Sequence, residues 1–388
     1  MFYSDIMLCM DINLRIPGPT PLPPDVLAAL ASQMISHRSG EYRELHAEVA
    51  AGVQKFFQTT NDVFLFTSSG TGMMEAAVVN TLSPGDKALG VTIGTFGDRF
   101  MDVARAHGID LTVLRFPMGE AADPDNVAEA FAKIPDCRAI LITHNETSTA
   151  IANDLEAIVK AVRSRAEVGM FTDSAAPRSQ KASPLFLVDA VSSMGNVDIP
   201  VDALGLDVVF TSSQKAWMTP PGLAMVSVSP AAWEAYKTAK CRRYYFDFGH
   251  MKKYHDKHET PETPAVAALF ALRAALRLML GIGIPETFAQ YRQLAAYTRK
   301  RFSDAGFQLF GDQSHASNTV TACLLPEGLT DEDFRGTLKK TYGVMVSGGM
   351  GEMKGKIFRV AHMGWASRED IDGAVGAMEK VKKALVVR

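Results

Sequence analysis

Apolar positions along this chain follow two alternating rhythms. The short apolar runs "DVFLF", "DKALGVTI", "DLTVL", "RAILIT", "PLFLVD" and "DVVFTS" predict strands. Between them lie stretches with apolar residues every three or four positions, such as "YRELHAEVAAGVQKFF", which predict helices. Strand alternating with helix predicts an α/β fold built on a mostly parallel sheet wrapped by helices. The run "LFLVD" is apolar enough for a strand covered on both faces.

Punctuation in the pattern sets the organisation. A proline-rich opening, "IPGPTPLPP", predicts an extended arm over residues 1–24, with Asp25 in an N-cap position ahead of a helix. Near residue 264 the texture changes to a long helix, "TPAVAALFALRAALRLMLGIG". Helix and strand segments follow, ending in "GKIFRVAHMG" and a final amphipathic helix. We therefore divide the chain into the arm, a large domain over 25–264 and a smaller α+β domain over 265–388. Residues 166–183 are polar and turn-rich and read as a surface insertion.

Composition narrows the function. The chain has 388 residues, 47% hydrophobic and 21% charged, with a formal net charge of −3. It therefore lacks the global basic field that nucleic acid or an anionic membrane would call for. No uninterrupted apolar run approaches membrane-spanning length. The four cysteines, Cys9, Cys137, Cys241 and Cys323, are far apart and form no CxxC pair, which fits a reducing, cytoplasmic setting. A small-molecule ligand is the expectation.

Two residues carry the first chemical signal. Asp189 closes an apolar strand, where ligands of open α/β sheets bind, and a carboxylate there needs a cation or donors. Lys215 follows the next strand, between "TSSQ" and the turn "TPPG". A lysine in a dry pocket loses affinity for its proton and becomes a nucleophile toward an aldehyde, and a nearby aspartate can hold a pyridinium nitrogen protonated. The pair points to pyridoxal phosphate. Its phosphate would need a cradle, and "TSSGTGMMEAA" offers a strand end, a glycine turn and a helix start, with hydroxyls from Ser69 and Thr71. It is not a dinucleotide motif, because Glu75 stands where the third glycine belongs.

In order and spacing, "PGPTPLPP", "SSGTGMMEAA", "THNETSTAI", "VDAVSSMG", "TSSQKAWMTPPG" and "FRVAHMG" resemble the class V aminotransferases of the alanine–glyoxylate and serine–glyoxylate type. The resemblance implies fold type I of the pyridoxal-phosphate-dependent transferases, with Lys215 forming the Schiff base and Asp189 serving the pyridine nitrogen. It assigns Ser69, Gly70, Thr71 and Gln214 to the phosphate, Phe96 to the ring face and Thr147 to the ring hydroxyl. Arg359 would bind the substrate α-carboxylate, a task suited to a planar guanidinium. The resemblance also implies a homodimer with shared active sites, in which "HETPETP" reaches the neighbour's phosphate through Thr263 or, second, Thr260.

Other features draw milder readings. The basic, aromatic segment 237–258 reads as active-site rim and subunit interface. His250, His255 and His258 lack metal-ligand spacing, so no metal is expected, and His362 reads as a packed histidine. No second arginine stands out for a distal carboxylate, which favours a small donor. The expected reaction is ping-pong transfer of an amino group from serine or alanine to a 2-oxo acid, glyoxylate or pyruvate. The alternatives are a lyase or desulfurase, disfavoured because Cys323 lies in an apolar run, and a non-catalytic subunit retaining the fold.

Overall fold

The computed structural model describes residues 12–169 and 183–386. Its strands, in chain order, are β1 (Asn13–Arg15), β2 (Asp62–Ser68), β3 (Lys87–Thr92), β4 (Asp110–Arg115), β5 (Ala139–Thr143), β6 (Asn145–Glu146), β7 (Ile151–Ala152), β8 (Leu185–Asp189), β9 (Val208–Ser212), β10 (Gly222–Val228), β11 (Val320–Leu324), β12 (Val344–Gly348) and β13 (Ile357–Ala361).

The large sheet has the order β2-β10-β9-β8-β5-β3-β4. Every neighbouring pair is parallel except those of β10, which runs antiparallel to both β2 and β9. Strand periodicity divides its side chains between two cores. Val63 and Leu65 of β2 enter one, while Phe64 and Phe66 enter the other. Strands β5 and β9 are buried along their whole length, as their unbroken apolar runs require.

Four helices matter for the site or its support: α1 (Pro24–Leu30), α2 (Gly40–Phe57), α3 (Gly70–Thr81) and α4 (Thr95–Ala106). The helix expected after the arm is α1, but Asp25 lies in its first turn and does not cap it. Pro24 begins the helix instead. Its missing N–H costs nothing at that position, so the start moves ahead of the aspartate.

The smaller sheet has the order β1-β12-β13-β11, with β1 parallel to β12 and β13 antiparallel to both its neighbours. Its core includes Phe302, Phe334 and Phe358. The arm therefore lends a strand to this sheet before crossing to α1. The long helix Val266–Ile282 behaves differently from the sequence expectation. It packs on α1 and α2, and its Leu269, Leu272 and Leu276 join a core of the large sheet. Beyond Gly283, at φ 100°, the helix Ile284–Asp304 turns away by 90° and sends Leu294 and Phe302 into the small core. By packing, the change of core falls within the helix Ile284–Asp304, after Phe288, which still joins the core of the large sheet, and before Leu294, later than the boundary at 264/265. Of the segment read as an insertion, residues 166–169 continue the helix Leu155–Gly169, and 170–182 lie outside the described residues.

Candidate active site

Strands β8 and β9 lie side by side and parallel, and chain segments leaving their C-terminal ends enclose a cavity of about 240 Å³. Asp189 is the last residue of β8 and is only 4% exposed. Its carboxylate accepts from the Val191 N–H at 2.9 Å and from the Thr143 hydroxyl at 3.2 Å. These bonds do not offset burial, which pushes the carboxyl up to about 6, with Glu146 adding to the rise and Lys215 opposing it.

Lys215 sits three residues beyond β9. The Ser213 hydroxyl donates to the Pro220 carbonyl at 2.6 Å, and the Trp217 indole N–H donates to Thr211 Oγ1 at 3.2 Å. The turn is thereby tied at both ends, so its backbone has little room to move. Thr20 Oγ1 donates to the Lys215 carbonyl at 3.0 Å, and Lys215 Nζ donates to the Pro17 carbonyl. Burial lowers the ammonium to about 8; Asp189 resists that shift, while Arg359 and Arg99 reinforce it. The lysine thus holds a proton that it can surrender near neutrality.

The other wall comes from two helix starts. Ser69 caps α3, its hydroxyl accepting from the Gly72 N–H at 3.4 Å, so the first-turn amides of Gly70 and Thr71 face the cavity end of the helix. A side chain at position 70 would meet Val191 at 2.6 Å, so only glycine allows this approach. Two buried polar atoms here have no partner among the described residues, the Ser212 hydroxyl and Gln214 Oε1. Helix α4 is pinned by the β6–β7 ribbon. Glu146 accepts from the Phe96 and Gly97 N–H groups at 2.9 and 3.0 Å, and Ser148 Oγ accepts from the Thr95 N–H at 3.0 Å. That grip aims Phe96 into the cavity lining.

Arg359 comes from the small sheet, on β13, and is 5% exposed. Its Nε donates to the Gly348 carbonyl at 2.9 Å and its Nη1 to the Thr147 carbonyl at 2.7 Å. Burial lowers it to about 10, against the pull of Glu146. Two of its donors therefore fix the guanidinium, and the rest of the fork is available to a carboxylate.

Of the residues expected from the sequence, Ser69, Gly70, Thr71, Phe96, Thr147, Asp189, Gln214 and Lys215 all line this one cavity, and Arg359 touches it through Thr147. Thr263 does not; it is exposed and lies outside the lining. Thr260 is buried and bonded within its own chain, to the Glu262 carbonyl at 2.8 Å. His362 is buried against Thr321 Oγ1, as a packed histidine should be. The segment 237–258, read as rim, contributes no residue to the cavity lining; its Phe246 packs against the first turn of α3, where it stands 2.8 Å from the place a side chain on Gly72 would take.

Sequence reasoning passed over Arg99, Asn145, Ser192 and Glu146. The first three line the cavity, and Glu146 positions it. Arg99 had a visible signal, because it lies three residues after Phe96 on a helix and so shares its face. Among the described residues no group of three or more His, Cys, Asp or Glu side chains is arranged to hold a metal ion.

Comparison with known proteins agrees with this geometry. The model of the family "Aminotransferase class-V" matches residues 12–367. A protein of Synechococcus sp. (strain PCC 6716), named soluble hydrogenase, small subunit, is 41% identical over 95% of this chain and 92% of its own. The L-aspartate–glyoxylate aminotransferase of Paracoccus denitrificans is 36% identical over 90% of this chain and 85% of its own. Among solved structures, the alanine–glyoxylate aminotransferase of Nostoc sp. superposes with a TM-score of 0.89 at 27% identity, covering 98% of this chain and 97% of the other. A strand-end aspartate and lysine, a helix-start cradle and a buried arginine thus stand together in a chain that belongs to the class V aminotransferases.

Proposed function

We propose that this transaminase moves an amino group from a small amino acid, serine or alanine, to a 2-oxo acid, with glyoxylate or pyruvate as acceptor. The observation that carries the reading is the joint placement of Asp189, Lys215 and Arg359 around one small cavity. Glyoxylate is supported by the names of the Paracoccus relative and the Nostoc structure.

The residues present fit pyridoxal phosphate, the cofactor that the family implies. The orphaned Ser212 hydroxyl and Gln214 Oε1, the open amides of α3 and the side-chain-free surface of Gly70 suit a phosphate. Asp189, a buried carboxyl pushed up to about 6, suits a cationic ring nitrogen that would draw it back down. Phe96 would cover the ring face and Thr147 would serve the ring hydroxyl. When bound, the cofactor supplies an aldehyde for the amino group and a ring that takes up the electron pair left behind by a departing α-proton. Arg359 binds the α-carboxylate and so fixes which face of the α-carbon meets Lys215. Lys215, held to about 8, takes the α-proton from that carbon and returns a proton later at the cofactor carbon. Asp189 keeps the ring nitrogen protonated throughout.

Besides Arg359 the cavity has a second arginine, Arg99, in its lining, so the small-donor reading needs a direct comparison with an acidic amino acid. Serine, alanine and aspartate should therefore be compared directly. Each is added alone to the holoenzyme, and the visible band of the bound cofactor is followed, with glyoxylate or pyruvate then added to restore it. Conversion by serine or alanine but not aspartate supports the proposal; conversion by aspartate alone overturns the donor assignment.

A shared-site homodimer is part of the proposal. Its support is the segment around Thr263, which Arg38 braces through the Thr260 and Pro261 carbonyls at 2.7 and 3.1 Å yet which leaves Thr263 exposed. Sedimentation should give a dimer, and Thr263→Ala should weaken cofactor retention; a monomer with full activity would remove this part. The name of the Synechococcus relative favours a second reading, a subunit retaining the fold within a larger assembly. The intact lysine–aspartate–arginine set supports catalysis instead. A desulfurase is disfavoured by Cys323, which lies on β11 fully buried, its thiol pushed up by burial and unable to swing to a substrate. Cys241 and Cys323 are free and buried, which supports a cytoplasmic location.

A further inference from the structure

We infer that Arg99 is a cofactor-binding residue of this site, the cation that anchors the phosphate at the start of α3; the inference rests on assigning Ser69, Gly70, Thr71 and Gln214 to that phosphate. Arg99 lines the cavity and donates from Nη1 to Thr71 Oγ1 at 3.4 Å. Its guanidinium lies over the Phe96 ring, 5.0 Å from the centroid, and that ring is fixed by the grip of Glu146 on the start of α4. A flexible side chain is thereby held in one place by stacking.

Among the described residues the charge of Arg99 meets no acid. Asp98, its neighbour in sequence, is taken by Arg115 at 2.6 Å and by the Thr92 hydroxyl at 2.9 Å. Among the described residues Arg99 forms no ion pair, yet its field reaches Lys215 and helps lower it. An unpaired guanidinium in a cavity wall is a place for an anion. The reaction brings two kinds, a phosphate and a carboxylate, and the site has two arginines. Arg359 is tied to Thr147 and Gly348, away from α3, and is placed for the carboxylate. Arg99 is tied to Thr71, in the first turn of α3, which places it with the phosphate. The helix start alone offers only about half a unit of positive charge against a phosphate carrying nearly two negative charges, so a full cation there has a clear use.

The test compares pyridoxal phosphate with pyridoxal, which lacks the phosphate, on the full chain and on the variants Arg99→Gln, Arg99→Lys and Ser69→Ala. Dissociation constants are read from the visible absorbance of cofactor retained on dilution of the holoenzyme and regained on titration. Arg99→Gln should bind pyridoxal phosphate about 10- to 100-fold more weakly with pyridoxal affinity unchanged, and Arg99→Lys should recover part of the loss. Equal losses for both compounds would overturn the inference in favour of a structural role through Phe96. Unchanged cofactor affinity with a raised KM for aspartate but not alanine would overturn it in favour of a side-chain carboxylate site. If Ser69→Ala also leaves the phosphate compound unaffected, the cradle assignment itself fails; if Ser69→Ala weakens it and Arg99→Gln does not, only the role of Arg99 falls.

Discussion

Two clusters of ionisable groups, one around the cavity and one around the buried His46, behave in opposite ways. Around the cavity, burial raises Asp189 to about 6 and lowers Lys215 to about 8, and each group opposes the other's shift. Beneath the segment that carries Thr260 lies a cluster of like groups, His46, His255 and His258, with ring centroids 5.3 and 6.2 Å from His46. His46 is fully buried, neither of its ring nitrogens has a partner among the described residues, and burial together with the two other histidines lowers it to about 3. The nearby acids Asp62 and Asp256 act on His255, which still ends below its ordinary value because burial dominates. Burial alone silences a base. Burial offset by an opposite charge leaves it titrating where chemistry needs it.

The largest effect that would break this contrast is at Lys215. Lys215→Ala should lower kcat/KM by about 10³-fold or more and abolish the absorbance of a covalently held cofactor, and residual turnover near the native level would show the base lies elsewhere. Next comes Arg359→Gln. It should raise KM for amino donor and 2-oxo acid alike by about 100-fold through loss of a charge-assisted bidentate contact, with the cofactor spectrum unchanged.

The histidine cluster should show itself in stability instead of rate. The folded His46 binds a proton near about 3 and the unfolded one near its ordinary 6.5, so between these values the unfolded state holds more protons. Stability is then full above pH 6.5 and falls as the pH drops through that window, by about 2 kcal/mol for this group at pH 5. In urea melts, His46→Phe should shrink the difference between pH 8 and pH 5 by about that much, whatever its effect at pH 8. The smallest change is expected from Glu146→Gln, which keeps an acceptor for the start of α4 but loses its charge, at a cost of about 1 kcal/mol in the same melts.

Much of this was legible in the sequence for physical reasons. Fully buried strands must be apolar throughout, so β5, β8 and β9 announced themselves, and ligands bind at strand ends, so Asp189 and Lys215 followed. Glu146 did not, although it lies inside the quoted stretch "THNETS", because its partners Phe96 and Gly97 are 50 and 49 residues away and only the fold brings them together. The change of core between Phe288 and Leu294 was hidden for a similar reason. The helix Val266–Ile282 has the same apolar stripe whichever core receives it, and α1 and α2 decide the matter. Asp25 was misplaced by a local rule that a proline overrode.

The hydrogen bond from Lys215 to Pro17 is among the contacts that join the two halves of the molecule. The arm pairs with β12 in the small sheet, and two residues past β1 the Pro17 carbonyl receives the Lys215 ammonium group. The same small sheet carries Arg359. A shift of that sheet on capturing a carboxylate must carry the Pro17 contact with it or give it up, so the grip on the lysine and the grip on the substrate share one coupling free energy. Such coupling is reciprocal: whatever factor carboxylate binding imposes on the hold over Lys215, release of Lys215 from Pro17 imposes on the affinity for the carboxylate.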